Sequence, residues 1–395
     1  MKIAFIREKY TDFGGAERYV SALAENLAGR GHEIDIFCRA WKSQNNHQPV
    51  SDSDKTSSRI TLRAVPVSRG PSFLQILSFA FNVRTLLQKE NYDIIHSFER
   101  TLYQDIYRAG DGCHREWLNR RRAIDPPGKA LLHRINPLHM TLLWIEKQIF
   151  KEGNYQAIMA NSQRGKREIM DLYGVPEEKI HVIYTPVDTK RFQVEQRQVM
   201  RDSLRKKIGI GHDCSLLLYV GSGFQRKGLP AALKALARLR SPAHLIAVGK
   251  ERLSPYRRLA KKLGVASSVT FTGPLSDVAP YYLGADLFIF PTIYEPFSNV
   301  CIEAMAAGLP VVTSRINGAS EVIVEDENGY IIEDPLNPDE IAGKIEQGLA
   351  LSGERVAEAN RRILNTLTWD NHLEQLLALY ETVRKAKGAS GRPEK

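Results

Sequence analysis

Cysteine is scarce in this chain, with four among 395 residues: Cys38, Cys113, Cys214 and Cys301. None forms a C-x-x-C pair, so neither a disulfide framework nor a zinc site is expected, and the thiols read as reduced ones of a cytosolic protein. Long apolar runs are missing too. The first apolar run, Lys2 to Ile6, is far too short for a signal peptide, and no stretch approaches the ~20 apolar residues needed to span a bilayer. Any membrane contact is therefore expected to be peripheral. G-x-G-x-x-G is absent, which weakens a nicotinamide reading, and so is the Walker A pattern G-x-x-x-x-G-K-[ST]. Acid is in deficit: 45 Asp and Glu against 55 Lys and Arg leave a formal charge of +10 and a pI near 9.3. That balance points to a polyanionic partner such as nucleic acid, acidic lipid or a phosphorylated substrate.

What the chain does have is strand–helix alternation in both halves, predicting an α/β protein of two doubly wound domains. Such sheets bind ligands outside the carboxyl ends of their strands. The first unit opens with a buried strand over 2–6, then Gly14-Gly15, then a helical pattern through Val20, Leu23 and Leu27, then a strand over 33–37. Two glycines at a helix start let backbone N–H groups approach a ligand closely, although many tight turns need them for nothing more. Asp52-Ser53-Asp54 could hold a metal, but it lies in a polar stretch with no apolar strand before it and reads as solvated loop. A helix is expected over 73–88, then a strand over 92–98. Asp111 and His114 follow between and after glycines, and a lone histidine is more often structural than catalytic.

From Trp117 to Arg134 the chain is basic, with Arg120, Arg121, Arg122, Lys129 and Arg134 against the single acid Asp125. Trp117, Leu118, Leu131 and Leu132 are interleaved. An anionic membrane or phosphorylated glycolipid, a nucleic acid, and a merely solvated basic face all fit this pattern.

In the second half a strand over 216–220 runs into Gly221-Ser222-Gly223-Phe224-Gln225-Arg226-Lys227-Gly228, ahead of a helix over 229–239. Arginine can bind two phosphate oxygens and lysine adds a point charge, at a turn where a helix N-terminus adds positive potential. Residues 193–207 read as a charged helix outside the core. Further strands are expected at 244–249, 268–273, 285–290, 310–313, 321–323 and 328–332. Pro291 and Pro296 break the chain into a loop, and a helix is expected from about Asn299 to Gly308. Glu295 in that loop and Glu303 in that helix lie eight positions apart. A carboxylate there can accept from the vicinal hydroxyls of a ribose, although E-x7-E alone also fits two solvated charges.

In this context the stretch Tyr294 to Gly308 resembles the E-x7-E signature of the family 4 glycosyltransferases, and the resemblance covers nearly the whole chain, from Gly14-Gly15 to Trp369. It is most like the lipopolysaccharide-core heptose α-1,3-glucosyltransferases. The resemblance implies the GT-B fold, two Rossmann-like domains facing a central cleft. Residues 1–187 would be the acceptor-binding domain and 188–368 the nucleotide-sugar domain. Thr185-Pro186-Val187-Asp188 would be the hinge, and the helix 369–385 would pack back on the first domain, with a disordered tail after Lys385.

The implied activity is a retaining, metal-independent hexosyl transfer without a cofactor, with UDP-glucose as the expected donor and an anionic glycolipid or oligosaccharide as acceptor. Arg226 and Lys227 would bind the diphosphate and stabilise the leaving group. Glu303 would bind the ribose, and Glu295 would sit beside the donor sugar. Gly14, Gly15 and Gly223 would face the diphosphate and sugar; Phe297, Ser298, Asn299 and Val300 would add donor contacts, Ser298 and Asn299 standing where many members carry Gly and an aliphatic residue. Gly249, Lys250 and Leu275 would line the base. His114 would lie near the sugar C6 hydroxyl, and Asp111 could equally bind an acceptor hydroxyl. The expected place is the cytoplasm, peripherally on the inner membrane through 115–134, with no nucleic acid. GDP-mannose or ADP-heptose as donor, a sugar-nucleotide 2-epimerase and a non-enzymatic nucleic-acid binder are the alternatives.

Overall fold

The computed structural model describes residues 1–11, 15–42, 55–57, 59–126, 128, 133 and 135–390. The chain forms two compact units, Met1–Tyr184 joined by Leu373–Lys395, and Thr185–His372.

The first unit contains β1 (Lys2–Ile6), β2 (Lys9–Thr11), β3 (Glu33–Cys38), β4 (Ala40–Lys42), β5 (Lys55–Ser57), β6 (Ile60–Ala64), β7 (Ile94–Ser97), β8 (Ile106–Arg108), β9 (Ala157–Ala160) and β10 (Ile180–Val182). Eight of them form one sheet in the order β10-β9-β8-β7-β1-β3-β6-β5, while β2 and β4 pair separately. All pairs in the large sheet are parallel except β5 with β6. Parallel sheets are covered on both faces, and so Ile3, Ala4, Phe5 and Ile6 are all buried instead of alternating. Strand order reverses between β1 and β7, which places the switch point at Arg7 and Phe98.

The helix Trp369–Ser390 supplies the first unit with its last layer from Leu373 onward. Its Tyr380 hydroxyl lies 2.7 Å from His96 Nδ1. The tail expected to be disordered after Lys385 is instead helical to Ser390. The Lys387 amine explains this, donating to Tyr92 O at 3.1 Å, Asp93 O at 3.0 Å and Asp105 Oδ2 at 2.7 Å.

The second unit holds β11 (Ser215–Val220), β12 (Ala243–Val248), β13 (Val269–Gly273), β14 (Leu287–Phe290), β15 (Val311–Ser314) and β16 (Gly329–Ile332). They form one parallel sheet in the order β13-β12-β11-β14-β15-β16. Its switch point lies between β11 and β14, in register at Leu217 with Leu287 and Leu218 with Phe288. The loops that leave their carboxyl ends, beginning at Gly221 and Pro291, are therefore neighbours. Two expectations fail here. Glu321 to Ile323 is no strand, because Asn317 accepts from Ala319 N and starts a 3-10 helix over Gly318–Val322. The charged helix Arg197–Ile208 is not wholly outside the core, since Leu204 and Arg205 are buried.

Candidate active site

The loop after β11 is shaped by backbone that only glycine tolerates. Gly228 has φ +82, and a Cβ there would lie 1.8 Å from the Pro291 carbonyl oxygen. Its lack of a side chain lets this loop close onto the loop after β14. Ile293 N then donates to Arg226 O at 2.9 Å and Thr292 Oγ1 to the same oxygen at 3.1 Å. Gly249, at the end of β12, has φ +156, and a Cβ there would meet Gly221 O at 2.1 Å. Lys250 N donates to Ser222 Oγ at 3.1 Å, and Gly223 N to Glu251 Oε2 at 3.1 Å.

Three charged side chains converge where the two loops meet. Arg226 Nη1 donates to Glu295 Oε2 at 2.9 Å and to Tyr294 O at 2.9 Å. Lys227 Nζ stands 3.8 Å from the same carboxylate oxygen and 5.4 Å from the Phe290 ring centre. One carboxylate against two cations leaves a surplus positive charge, at the sheet edge where an anionic ligand is expected.

Beyond Glu295 the chain passes through buried Phe297 and Ser298 into the helix Asn299–Ala306. Ser298 is extended and makes no side-chain cap bond. Glu303 lies on this helix and accepts from the Tyr282 hydroxyl at 3.1 Å, with Arg191 Nη1 3.8 Å from its other oxygen. Gly308 closes the stretch in the left-handed region at φ +78. Burial pushes the nearby Cys301 thiol up to about 12, so it is an inert packing residue. Leu275 follows the end of β13 at the same sheet edge and is half-buried.

In the first unit Gly14 lies outside the described residues, as do Asp52, Asp54, Lys129, Leu131, Leu132 and Arg134. Gly15 is the first residue of the helix Gly15–Gly29. Asp111 is half exposed, 4.0 Å from Arg7 Nη1. His114 opens the helix His114–Arg121 and is buried. Its Nε2 lies 3.0 Å from His139 Nδ1. Burial, with Arg100, His139 and Arg121 nearby, lowers its pKa to about 3, so the ring is neutral. In the basic segment Arg120 pairs with Glu116 at 2.6 Å and Arg121 with Asp125 at 2.9 Å.

A cluster at the first switch point escaped sequence reasoning. Arg7, directly after β1, lies 3.2 Å from Glu17 and 3.5 Å from Glu99, and donates to Phe98 O at 3.0 Å. Burial pushes the Glu99 carboxyl up. The available signal was position alone, since Arg7 and Glu99 lie just after strands and Glu17 in the first turn of a helix. Among the described residues no group of His, Cys, Asp and Glu is suited to hold a metal, and no helix is long and apolar enough to cross a membrane.

Two doubly wound units, each on a mainly parallel sheet, match the architecture of the GT-B glycosyltransferases. Residues 13–191 match the family model described as Glycosyltransferase Family 4, and residues 200–363 match that of Glycosyl transferases group 1. The chain belongs to glycosyltransferase family 4. It is 28% identical to the lipopolysaccharide glucosyltransferase WaaG of Escherichia coli K12, over 91% of this chain and 92% of that one. A D-inositol 3-phosphate glycosyltransferase of Acidothermus cellulolyticus is 26% identical, over 93% of this chain and 86% of its own length. The crystal structure of WaaG, a glycosyltransferase involved in lipopolysaccharide biosynthesis, superposes with a TM-score of 0.77 at 25% identity, covering 97% of this chain and 99% of that one.

Proposed function

We propose that this enzyme transfers glucose from UDP-glucose to an anionic glycolipid or lipopolysaccharide-core acceptor, with retention at the anomeric carbon. The observation that carries the reading is the convergence of Arg226 and Lys227 on the single carboxylate of Glu295, two loops meeting to leave net positive charge in the stretch that leads into the helix carrying Glu303. As the bond from the anomeric carbon to the phosphate oxygen breaks, Arg226 and Lys227 stabilise the charge that grows on the departing diphosphate. The acceptor hydroxyl oxygen forms its bond to the anomeric carbon on the same face, and its proton passes to the leaving phosphate. In this reading the two side chains supply the positive charge that a divalent metal would otherwise provide, and no cofactor takes part.

Glu303 accepts from the ribose diol, and Phe297, Ser298, Asn299 and Val300 bring the start of their helix to the sugar and diphosphate. Glu295 lies beside the donor sugar. Gly223, Gly249, Lys250 and Leu275 border the nucleotide. Asp111 and His114 serve the sugar hydroxyls or the acceptor. A neutral His114 with one nitrogen already engaged by His139 suits hydrogen bonding and not proton transfer.

The anionic acceptor is favoured by the charge of +10 and by the phosphorylated acceptor named for the inositol 3-phosphate relative. Peripheral attachment to the cytoplasmic face of an anionic membrane fits the basic segment 115–134. It also fits the exposed Leu74, Phe81, Met140 and Trp144 on two neighbouring helices, Ser72–Leu87 and Pro137–Ile149. GDP-mannose or ADP-heptose is the second reading for the donor, because backbone contacts to a base leave little trace in side chains.

Thermal unfolding across a panel of UDP-, GDP- and ADP-sugars tests the proposal, since a ligand of the native state raises the melting point. A selective rise with UDP-glucose that Glu303→Ala abolishes is expected. A selective rise with a different donor would overturn the choice of sugar nucleotide.

A further inference from the structure

A second charged site lies at the opposite edge of the second sheet. A cavity of about 260 Å³ opens beside Ser215 at the start of β11, Asp286 just before β14 and Pro310 just before β15. These are amino ends of strands, whereas Arg226, Lys227 and Glu295 follow carboxyl ends. The length of β11, roughly 20 Å for six residues at the usual strand rise, separates the two.

Three arginines line this cavity from one helix, Arg197–Ile208. Arg197, Arg201 and Arg205 recur every four residues and so share a face, an arrangement that like charges oppose. Asp286 is the one carboxylate among the lining residues. It accepts from Arg205 Nη2 at 2.6 Å and from Leu216 N at 2.7 Å, and its other oxygen lies 3.1 Å from Arg201 Nη2. Arg205 also donates to Cys214 O at 3.0 Å. It is only 2% exposed, and its Nε and Nη1 have no hydrogen-bond partner. Arg197 donates to the carbonyls of Gly308 at 2.7 Å and Ala285 at 3.4 Å, neither of which carries charge to offset its own. Burial lowers its pKa, Asp286 opposes that shift and Arg201 adds to it. Three guanidinium groups against one carboxylate leave a formal +2, with buried donors unused. Buried charge of one sign is ordinarily compensated, and planar guanidinium forks match phosphate oxygens.

We infer that this cavity is a phosphate-binding site separate from the donor site, taking inorganic phosphate or the phosphate of a small monoester. Arg201 and the outer face of Arg197 supply donors, and buried Arg205 supplies the charge beneath them.

The test uses the full chain and inorganic phosphate, with ionic strength held constant by chloride. Melting temperature is followed against phosphate concentration in the unsubstituted protein, in Arg201→Ala, and in the double variant Arg226→Ala/Lys227→Ala. The inference expects a saturable rise that persists in the double variant and whose midpoint weakens at least roughly tenfold in Arg201→Ala, the loss typical of one charged hydrogen bond. Arg201 is partly exposed and Arg205 keeps its own pairing with Asp286, so the variant should fold. Arg201→Lys, which retains the charge, should recover part of the affinity. A hexose 6-phosphate binding at least tenfold more tightly than phosphate would identify a monoester as the ligand, and equal binding would identify phosphate itself. A rise that does not saturate, or one that disappears in the double variant and survives in Arg201→Ala, would overturn the inference.

Discussion

Arg226 and Glu295 are bonded to each other across the loops that follow β11 and β14, with Nη1 2.9 Å from Oε2 and the same nitrogen 2.9 Å from the Tyr294 carbonyl. The guanidinium is thus held in place by the protein itself, where the proposed function puts the diphosphate. Such pre-organisation matters because a donor fixed in advance costs no rearrangement when charge develops.

Arg226→Ala and Lys227→Ala should each lower kcat by about 10²–10³, the usual effect of removing one donor aimed at developing charge. Stability should change little, by no more than ~1 kcal/mol, because the pair with Glu295 is partly exposed. Steady-state kinetics beside thermal unfolding separates the two effects. Normal turnover by Lys227→Ala would remove it from the proposed mechanism.

Glu303 is oriented by Tyr282, whose hydroxyl donates to it at 3.1 Å. Glu303→Ala should weaken donor binding about tenfold or more, as loss of a charged hydrogen bond typically does, and should affect kcat less. Tyr282→Phe, which leaves the carboxylate present but less fixed, should weaken binding by a few-fold. Calorimetric titration with the donor nucleotide reads both, and unchanged affinity in Glu303→Ala would refute the ribose role.

These residues were legible in the sequence for physical reasons. Strands buried on both faces read as apolar runs, and Gly221 to Gly228 and Glu295 to Glu303 lie in continuous stretches directly after two such runs. Arg7, Glu17 and Glu99 were not legible as a group, because only the pairing of β1 with β7 brings Glu99 to Arg7. The His114–His139 contact spans 25 positions and depends on how two helices pack. Arg205 was hidden in a charged helix whose composition pointed to solvent. Lys387 likewise sits in a polar tail that composition alone assigns to disorder, until Asp105 provides its partner.

His114 makes stability depend on pH. In the unfolded chain the imidazole takes its proton near 6.5, whereas in the folded protein it does so only near 3. Between these values the unfolded state binds more protons, so stability falls as pH drops from 6.5 towards 3. Burial lowers the His139 pKa as well, which acts in the same direction. Urea unfolding of His114→Asn between pH 6 and 5 should show a slope shallower by about 1 kcal/mol per pH unit than the unsubstituted protein. Equal slopes would mean that the ring is protonated in the native state.

Glu146 is buried and organises the helix that His114 opens. It accepts from the backbone N–H groups of His114 and Arg115 and from the Tyr173 hydroxyl, with Arg100 Nε at 3.6 Å. Glu146→Ala would leave Arg100 without its carboxylate in a buried setting, at a cost of about 3–5 kcal/mol. Tyr173→Phe should cost about 1–2 kcal/mol, since the backbone donors stay satisfied. Chemical denaturation measures both, and a Glu146→Ala variant as stable as the parent would show that the carboxylate is not structural.

The Phe81 and Trp144 rings lie 6.4 Å apart, tilted by 33° to each other, between the helices Ser72–Leu87 and Pro137–Ile149. With Leu74 and Met140 they form an exposed apolar strip. Neither helix offsets it with exposed acid: the first has no Asp or Glu, and the only one in the second, Glu146, is buried. Exposed Arg84 and Lys147 continue the same two helices. Apolar side chains flanked by basic ones suit the interface of an anionic bilayer, where the rings enter the acyl boundary and the cations meet headgroups. Co-sedimentation with vesicles containing phosphatidylglycerol should therefore exceed that with neutral phosphatidylcholine. The double variant Phe81→Ser/Trp144→Ser should lower the partition coefficient by more than about tenfold, given ~1.5–3 kcal/mol for each fully buried large apolar side chain. If the double variant binds as well as the parent while salt alone releases both, then charge without insertion accounts for the association. Comparable salt-dependent binding to generic DNA would show that the basic surface does not select lipid.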